Sequence, residues 1–272
     1  MNATSNASPA PAARIAPDAW RAFGGIWRLT FRRFLLPAHW LALAGMVAVL
    51  ALICLGFLSA GNGPVFFVSW AVKFYFTFLV PVMAFISAAG AIRDDMRAGT
   101  VDYVLTRPVP RPMFVLFRYL SHTACAQVDF LFAFGALLAV AAYRDVPGLR
   151  ADAPLLFFAQ VLLVTGFSAF GFLCGVLTSR YVMIGIGYAA VIEVGVGQIP
   201  TQLNQLSMTH QVRGMLQPLA SRVPSPFATS LDLLPAAGGL PTLGVLLAFT
   251  VVMLGLAAAV FAFREFTGQA DA

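Results

Sequence analysis

The chain has 272 residues, 60% of them hydrophobic and only 10% charged, with a mean hydropathy of +0.85. A soluble domain averages about 25% charged residues, so that class is excluded. The net charge of +6 is spread along the chain in a pattern that fits membrane topology, and no nucleic-acid partner is expected.

Residues 1–17 are rich in Ala, Pro, Ser and Asn and read as a disordered tail. No compact apolar core with a small-residue cleavage site follows, so they do not read as a signal peptide. From Asp18 the pattern changes. At about 100° per residue, Trp20, Phe23, Ile26, Trp27, Phe31 and Phe34 share one broad face, and Arg21, Arg28 and Arg32 lie on the other. This predicts an amphipathic helix in the membrane interface, with aromatic rings among the headgroups and arginines toward the cytoplasm.

Six apolar runs follow, near 37–60, 65–92, 113–143, 154–178, 181–199 and 241–263. Runs of this length read as membrane helices, because backbone groups in lipid must bond within their own segment. Barrel strands would be shorter and alternating. The predicted class is all-α integral membrane, with six transmembrane helices in a single domain over 18–265 and a short tail over 266–272. With both termini inside, the inner segments carry eleven arginines and the outer ones four. The positive-inside rule then predicts a cytoplasmic N-terminus, 93–112 loop and C-terminus.

The second run carries Lys73, the only lysine. After it comes a polar island with seven charged side chains, Arg93, Asp94, Asp95, Arg97, Asp102, Arg107 and Arg111. Thr100 is a good N-cap. Asp102 suits the start of a helix dipole and Arg107 its end. Gly99 permits the turn that enters it, and Pro108 ends it, with Pro110 and Pro112 keeping the chain extended. Val101, Val104 and Leu105 make a small apolar face. The island thus predicts a short amphipathic helix over 100–106, on a stiff mount just below the membrane.

Asp129 lies mid-span in the third run, with Cys125 and His122 on the same stripe. It is expected to make a structural hydrogen bond to another helix, since ionisable groups in spans do not face lipid. Cys54, Cys125 and Cys174 show no pair spacing and read as buried reduced thiols. No His, Cys and Asp set has metal-ligand spacing, so no metal site is expected. In the fourth run, Gly171 and Gly175 have the small-residue spacing for backbone contact and predict helix packing within the chain. Glu193 sits near the outer end of the fifth run, at about the depth of Lys73, which predicts a salt bridge between them. The long outer segment 198–240 is Pro-rich, with an apolar stretch at Thr209–Leu216 that predicts short re-entrant or interfacial helices.

The series Asp95, Gly99-Thr100, Asp102, Leu105, Arg107-Pro108-Val109, Arg111 and Arg118 resembles the first cytoplasmic loop of ATP-binding-cassette (ABC) transporter permeases of the type-2 exporter class. Glu193 with Gln205-Leu206-Ser207-Met208-Thr209-His210 is similar to that family's Glu and downstream Leu-Ser-x-x-His stretch. One departure is that the family's usual Gly-Lys pair is Phe117-Arg118 here. The resemblance implies that two permease subunits pair, as a homodimer or with a sister permease. It also implies that the island is the coupling helix on which a cytoplasmic ABC ATPase docks. This chain has no Walker A motif. The resemblance therefore places ATP and Mg on the partner chain, with no cofactor and no catalytic residue here.

Two rival functions remain. One keeps the fold but transmits force to an extracytoplasmic partner at 198–240. The other is an intramembrane protease, since Gly166-Phe167-Ser168 resembles the Gly-x-Ser of rhomboid-like enzymes. That chemistry needs a His on a later span, and the last two runs have none.

Overall fold

The computed structural model describes residues 19–59, 71–96, 110–146, 148–195, 207–216 and 240–263. All regular structure among them is helical. The expected tails, most of the 198–240 segment, and Arg97, Gly99, Thr100, Asp102, Leu105, Arg107 and Pro108 of the expected coupling helix lie outside the described residues.

Helix α1, Ala19–Phe34, is the expected amphipathic segment. Its apolar face divides in two. Thr30 and Phe34 are buried and Phe23 is half-buried, whereas Trp20, Trp27, Leu29 and Phe31 stay exposed. The inward face packs on α4, Arg111–Tyr143, where the Phe23 and Phe117 rings meet edge to face at 5.3 Å. The single broad apolar face expected from sequence is therefore corrected. One edge docks on protein, with Thr30 in the contact, and the other is left for lipid. Arg28 and Arg32 are exposed, as the sequence predicts.

Helix α2, Pro37–Ser59, follows after a one-turn break. Helix α3 begins as a π-helical stretch, Ala71–Leu79, and continues as α-helix through Val80–Asp95. Helix α4 starts with Pro112 in its first turn, where a missing N–H costs nothing. A tight turn with Gly148 in the left-handed region at φ 77° leads into α5, Leu149–Leu177. Helix α6, Tyr181–Tyr188, runs on as a π-helical stretch to Gly195. A short helix α7, Met208–Met215, and a long one α8, Leu240–Phe263, complete the described chain.

Helix α5 is the centre of the fold. In its most apolar stretch 67% of residues are buried, against 17% for α2 and 22% for α8. The outer faces of α2 and α8 carry Leu41, Leu52, Val251 and Val252 into the surroundings, as helices bordered by lipid do. Small residues let α3 and α5 come close. A Cβ on Gly171 would lie 2.5 Å from the Phe85 carbonyl oxygen, and one on Gly175 would lie 2.6 Å from that of Ala89. The Gly171 and Gly175 pair is thus a seam within the chain, as its spacing predicts. Polar ties cross the apolar packing. The Tyr75 hydroxyl donates to Gln160 Oε1 at 2.6 Å, and the Tyr119 hydroxyl to the Thr165 carbonyl at 2.9 Å.

Five helices, α2, α3, α4, α5 and α8, are long and apolar enough to cross a membrane. The expectation of six is not met by the described residues. The apolar part of α6, Tyr181–Glu193, is shorter, and crossing a ~30 Å hydrocarbon core takes about 20 helical residues.

Candidate functional site

Polar residues on either side of the 97–109 segment meet in one buried cluster. Asp95 closes α3, and Arg118 lies two turns into α4. Their side chains are 5% and 4% exposed. Arg118 Nε donates to Asp95 Oδ2 in a short contact, and its Nη2 reaches Asp95 Oδ1 and the Ala91 carbonyl at 3.5 Å each. The remaining nitrogen, Nη1, donates to Thr30 Oγ1 on α1 at 2.5 Å. Thr30 in turn donates to the Ile26 carbonyl at 2.9 Å. Arg33, also on α1, adds a second cation 3.4 Å from Asp95 Oδ1. A planar guanidinium can satisfy a carboxylate, a hydroxyl and a carbonyl together, which a lysine ammonium does with less geometric control. The cluster therefore bolts α1, α3 and α4 together at the end of α3 and the start of α4.

Asp95 was expected on the surface that meets a partner, and that expectation is corrected. Its carboxylate is turned inward, where two neighbouring helices supply it with cations, Arg33 from α1 and Arg118 from α4. Asp94 is exposed and Arg93 half-buried. Arg111 is exposed, and its guanidinium lies 3.4 Å from the Ala262 carbonyl at the end of α8. Thr30 and Arg33 were not singled out from sequence. A hydroxyl in the apolar face of an otherwise aromatic helix was the available signal for Thr30.

Beside this cluster lies a cavity of about 590 Å³ between α1, α2, α3 and α4. Asp129 and His39 face each other on its wall, with His39 Nε2 3.0 Å from Asp129 Oδ1. Asp129 thus has the hydrogen bond to another helix that its position predicts. The partner, His39, was missed, since one His in a first turn gives no periodic signal. Cys125 and His122 line the same cavity. Cys54 and Cys174 are buried, and all three thiols are free. No metal-binding group was found among the described residues.

At the opposite end of the fold, Glu193 serves α7. Its carboxylate accepts from the Tyr188 hydroxyl at 2.9 Å, from Ser207 Oγ at 2.6 Å, and from the backbone N–H groups of Met208 and Thr209 at 3.2 Å each. Thr209 Oγ1 makes a further short contact. Ser207 caps the helix by accepting from the His210 N–H at 3.0 Å. A carboxylate at a helix N-terminus meets both orphan donors and a favourable dipole. The structure engages Glu193 with five donors from Tyr188, Ser207 and the first residues of α7. The expected partner Lys73 is not tested by this. Lys73 lies in the π-helical part of α3, with its side chain outside the described set. Burial, helped by the Arg213 cation and opposed by Glu193, holds the His210 imidazole below its ordinary value.

The clasp predicts a measurable local effect. Glu193→Gln keeps the shape but puts an amide NH2 against donors, and hydrogen bonds to charged groups contribute about 1.5–3 kcal/mol. Trypsin should then cut after Arg213 in α7 substantially faster, while the far-ultraviolet spectrum stays unchanged. Equal cleavage rates in the two proteins would show that Glu193 does not hold α7.

A family model described as ABC-2 family transporter protein matches residues 15–266. No curated protein matches the chain significantly. The match spans every helix described above.

Proposed function

The chain belongs to the ABC-2 family of transporter proteins, and we propose that it is the membrane-spanning permease subunit of an ABC exporter. Family membership and five span-length helices make it a multi-pass membrane protein. The finer reading is ours. A separate ATPase chain, carrying ATP and Mg, docks on the cytoplasmic loop and drives the spans. A second permease subunit pairs with this one, and both termini lie in the cytoplasm. Helix α6 with residues 196–199 forms the sixth span.

The observation that carries this reading is the Asp95–Arg118 cluster. It joins both stems of the loop to each other and to the interfacial helix. A push on the loop would then reach α1, α3 and α4 as one body. A loop that served only to fix topology would need no such bolt.

Co-purification tests the docking. An Arg97/Asp102/Arg107 triple Ala variant is expected to reach the membrane and fold, yet to lose the ATPase that accompanies the wild type. Retained ATPase at wild-type stoichiometry would count against the docking assignment.

One observation favours a second reading. The Glu193 clasp ties α6 to a segment outside the five span-length helices, so motion of the spans would also reach an extracytoplasmic partner. Solute flux into vesicles containing permease and ATPase separates the two. Export requires flux, and force transmission alone does not.

A further inference from the structure

We propose that Arg21, Arg28 and Arg32 of α1 form a docking surface for the headgroups of anionic phospholipids.

The placement of α1 comes first. Phe23 and Thr30 are seven residues apart, roughly 10 Å along a helix. They contact adjacent residues of α4: the Phe23 ring meets Phe117, and Thr30 accepts from Arg118. Helix α1 therefore runs across the start of α4 and not alongside it. A helix that crosses the end of a span lies along the membrane surface.

Three sectors follow one another around α1 at about 100° per residue. Phe23, Thr30 and Phe34 form the docked sector, turned toward the protein. Trp20, Trp27 and Phe31 form an exposed aromatic sector beside it. Arg21, Arg28 and Arg32 come next, all exposed, and lie nearly opposite the docked sector. They make a stripe roughly 16 Å long at the helical rise.

This stripe differs from the arginines near it. Arg33 and Arg118 are paired with Asp95, Arg111 reaches the Ala262 carbonyl, and Arg93 is engaged as well. Among the described residues, no carboxylate, hydroxyl or carbonyl meets the side chain of Arg21, Arg28 or Arg32. Arg28 and Arg32 are four apart on one helix, where like charges repel. An anion held between them offsets that repulsion.

The aromatic sector selects the source of the anion. Trp20 is 78% exposed and Phe31 43%. An acidic protein or a nucleic acid on the arginines would leave those rings in water. A bilayer covers both sectors at once, with the rings among headgroups and upper acyl chains and the guanidiniums level with the phosphates. A guanidinium holds a phosphate through two parallel hydrogen bonds. In a zwitterionic lipid the headgroup's own amine offsets its phosphate. A stripe of three cations with no carboxylate in it therefore favours the net anionic head. The surface is independent of what the protein exports, so its failure leaves the permease reading intact.

The test uses the full-length protein, equilibrated with vesicles of equal phosphatidylglycerol and phosphatidylcholine with matched acyl chains, then extracted in mild detergent. Retained lipid is counted by native mass spectrometry. Phosphatidylglycerol is expected to be retained over phosphatidylcholine, and high salt should weaken the preference. Arg21→Gln, Arg28→Gln and Arg32→Gln should each lower it by roughly fivefold, the factor one basic side chain supplies near an anionic surface. Arg28→Lys should keep most of it. The triple Gln variant should lose the preference while melting in detergent as the wild type does, since the replaced side chains are exposed. Arg144→Gln, an exposed arginine at the far end of α4, should change nothing. Equal retention of the two lipids by the wild type would overturn the proposal. So would a triple variant that keeps the preference.

Discussion

Arg118→Met is expected to destabilise the protein by about 3–5 kcal/mol, because it leaves Asp95 buried without its principal cation. Asp95→Leu alone should cost a similar amount by stranding Arg118. The double variant Asp95→Leu/Arg118→Met is the informative one. A buried ion pair replaced by apolar side chains of similar volume is often neutral or better, so the double variant should regain most of the thermal stability measured in detergent. It would still lack the hydrogen bonds that link Arg118 to Thr30 and the Ala91 carbonyl. If the cluster carries motion from the loop to α1, ATPase stimulation by transport substrate should stay lost in the stable double variant. Full recovery of both stability and stimulation would reduce the cluster to a fold anchor.

The second large effect lies at the α3 and α5 seam. Gly171→Ala would bring a methyl within 2.5 Å of the Phe85 oxygen and 3.0 Å of the Ala88 Cβ. Gly175→Ala would meet the Ala89 oxygen and Ile92 Cγ2, both at 2.6 Å. The nearest atoms are mostly backbone, which cannot rotate aside, so the two helices must separate. Overpacking of this kind costs about 1–3 kcal/mol per site, and the double substitution should prevent stable assembly of the span bundle. Gly135 on α4 is the control, since a Cβ there meets nothing within 4 Å. Gly135→Ala should be neutral or stabilising by up to about 1 kcal/mol, as Ala is the better helix former. Melting curves of the three single variants decide the matter. A Gly171→Ala protein as stable as Gly135→Ala would mean the seam is looser than the structure has it.

Much of this was readable in the residues, for reasons of period and spacing. The long apolar runs gave the spans, since lipid leaves no alternative to a helix. The aromatic period of 19–34 gave α1, and four-residue glycine spacing gave the seam. The Glu193 and Leu-Ser-x-x-His stretch was noticed as a resemblance, although its geometry was not. Pairings across distance were the main loss. Asp95 and Arg118 were both noticed, as parts of one loop pattern, but a helical period says which face a residue occupies and not which remote face it meets. The same limit hid His39 from Asp129. The expected Lys73 and Glu193 pairing lies outside the described side chains. Depth along two helices says nothing of how the chain returns after α6 and sets the N–H groups of α7 against the Glu193 carboxylate. Among the described residues the fifth apolar run is the one that falls short of a span. Residues 181–199 are apolar but for Glu193 and Gln198, and the described helix ends at Gly195.

The bolt at the loop's stems also bears on how such a protein can diversify. The pair joins Asp95, which precedes residues 97–109 in the chain, to Arg118, which follows them. Surface loops on a rigid frame tolerate change far better than the frame does. The segment can therefore accumulate substitutions, or be exchanged wholesale with that of a cousin, while α3 and α4 keep their register. On the docking proposed above, lineages could thus change which ATPase they recognise without rebuilding the helix packing.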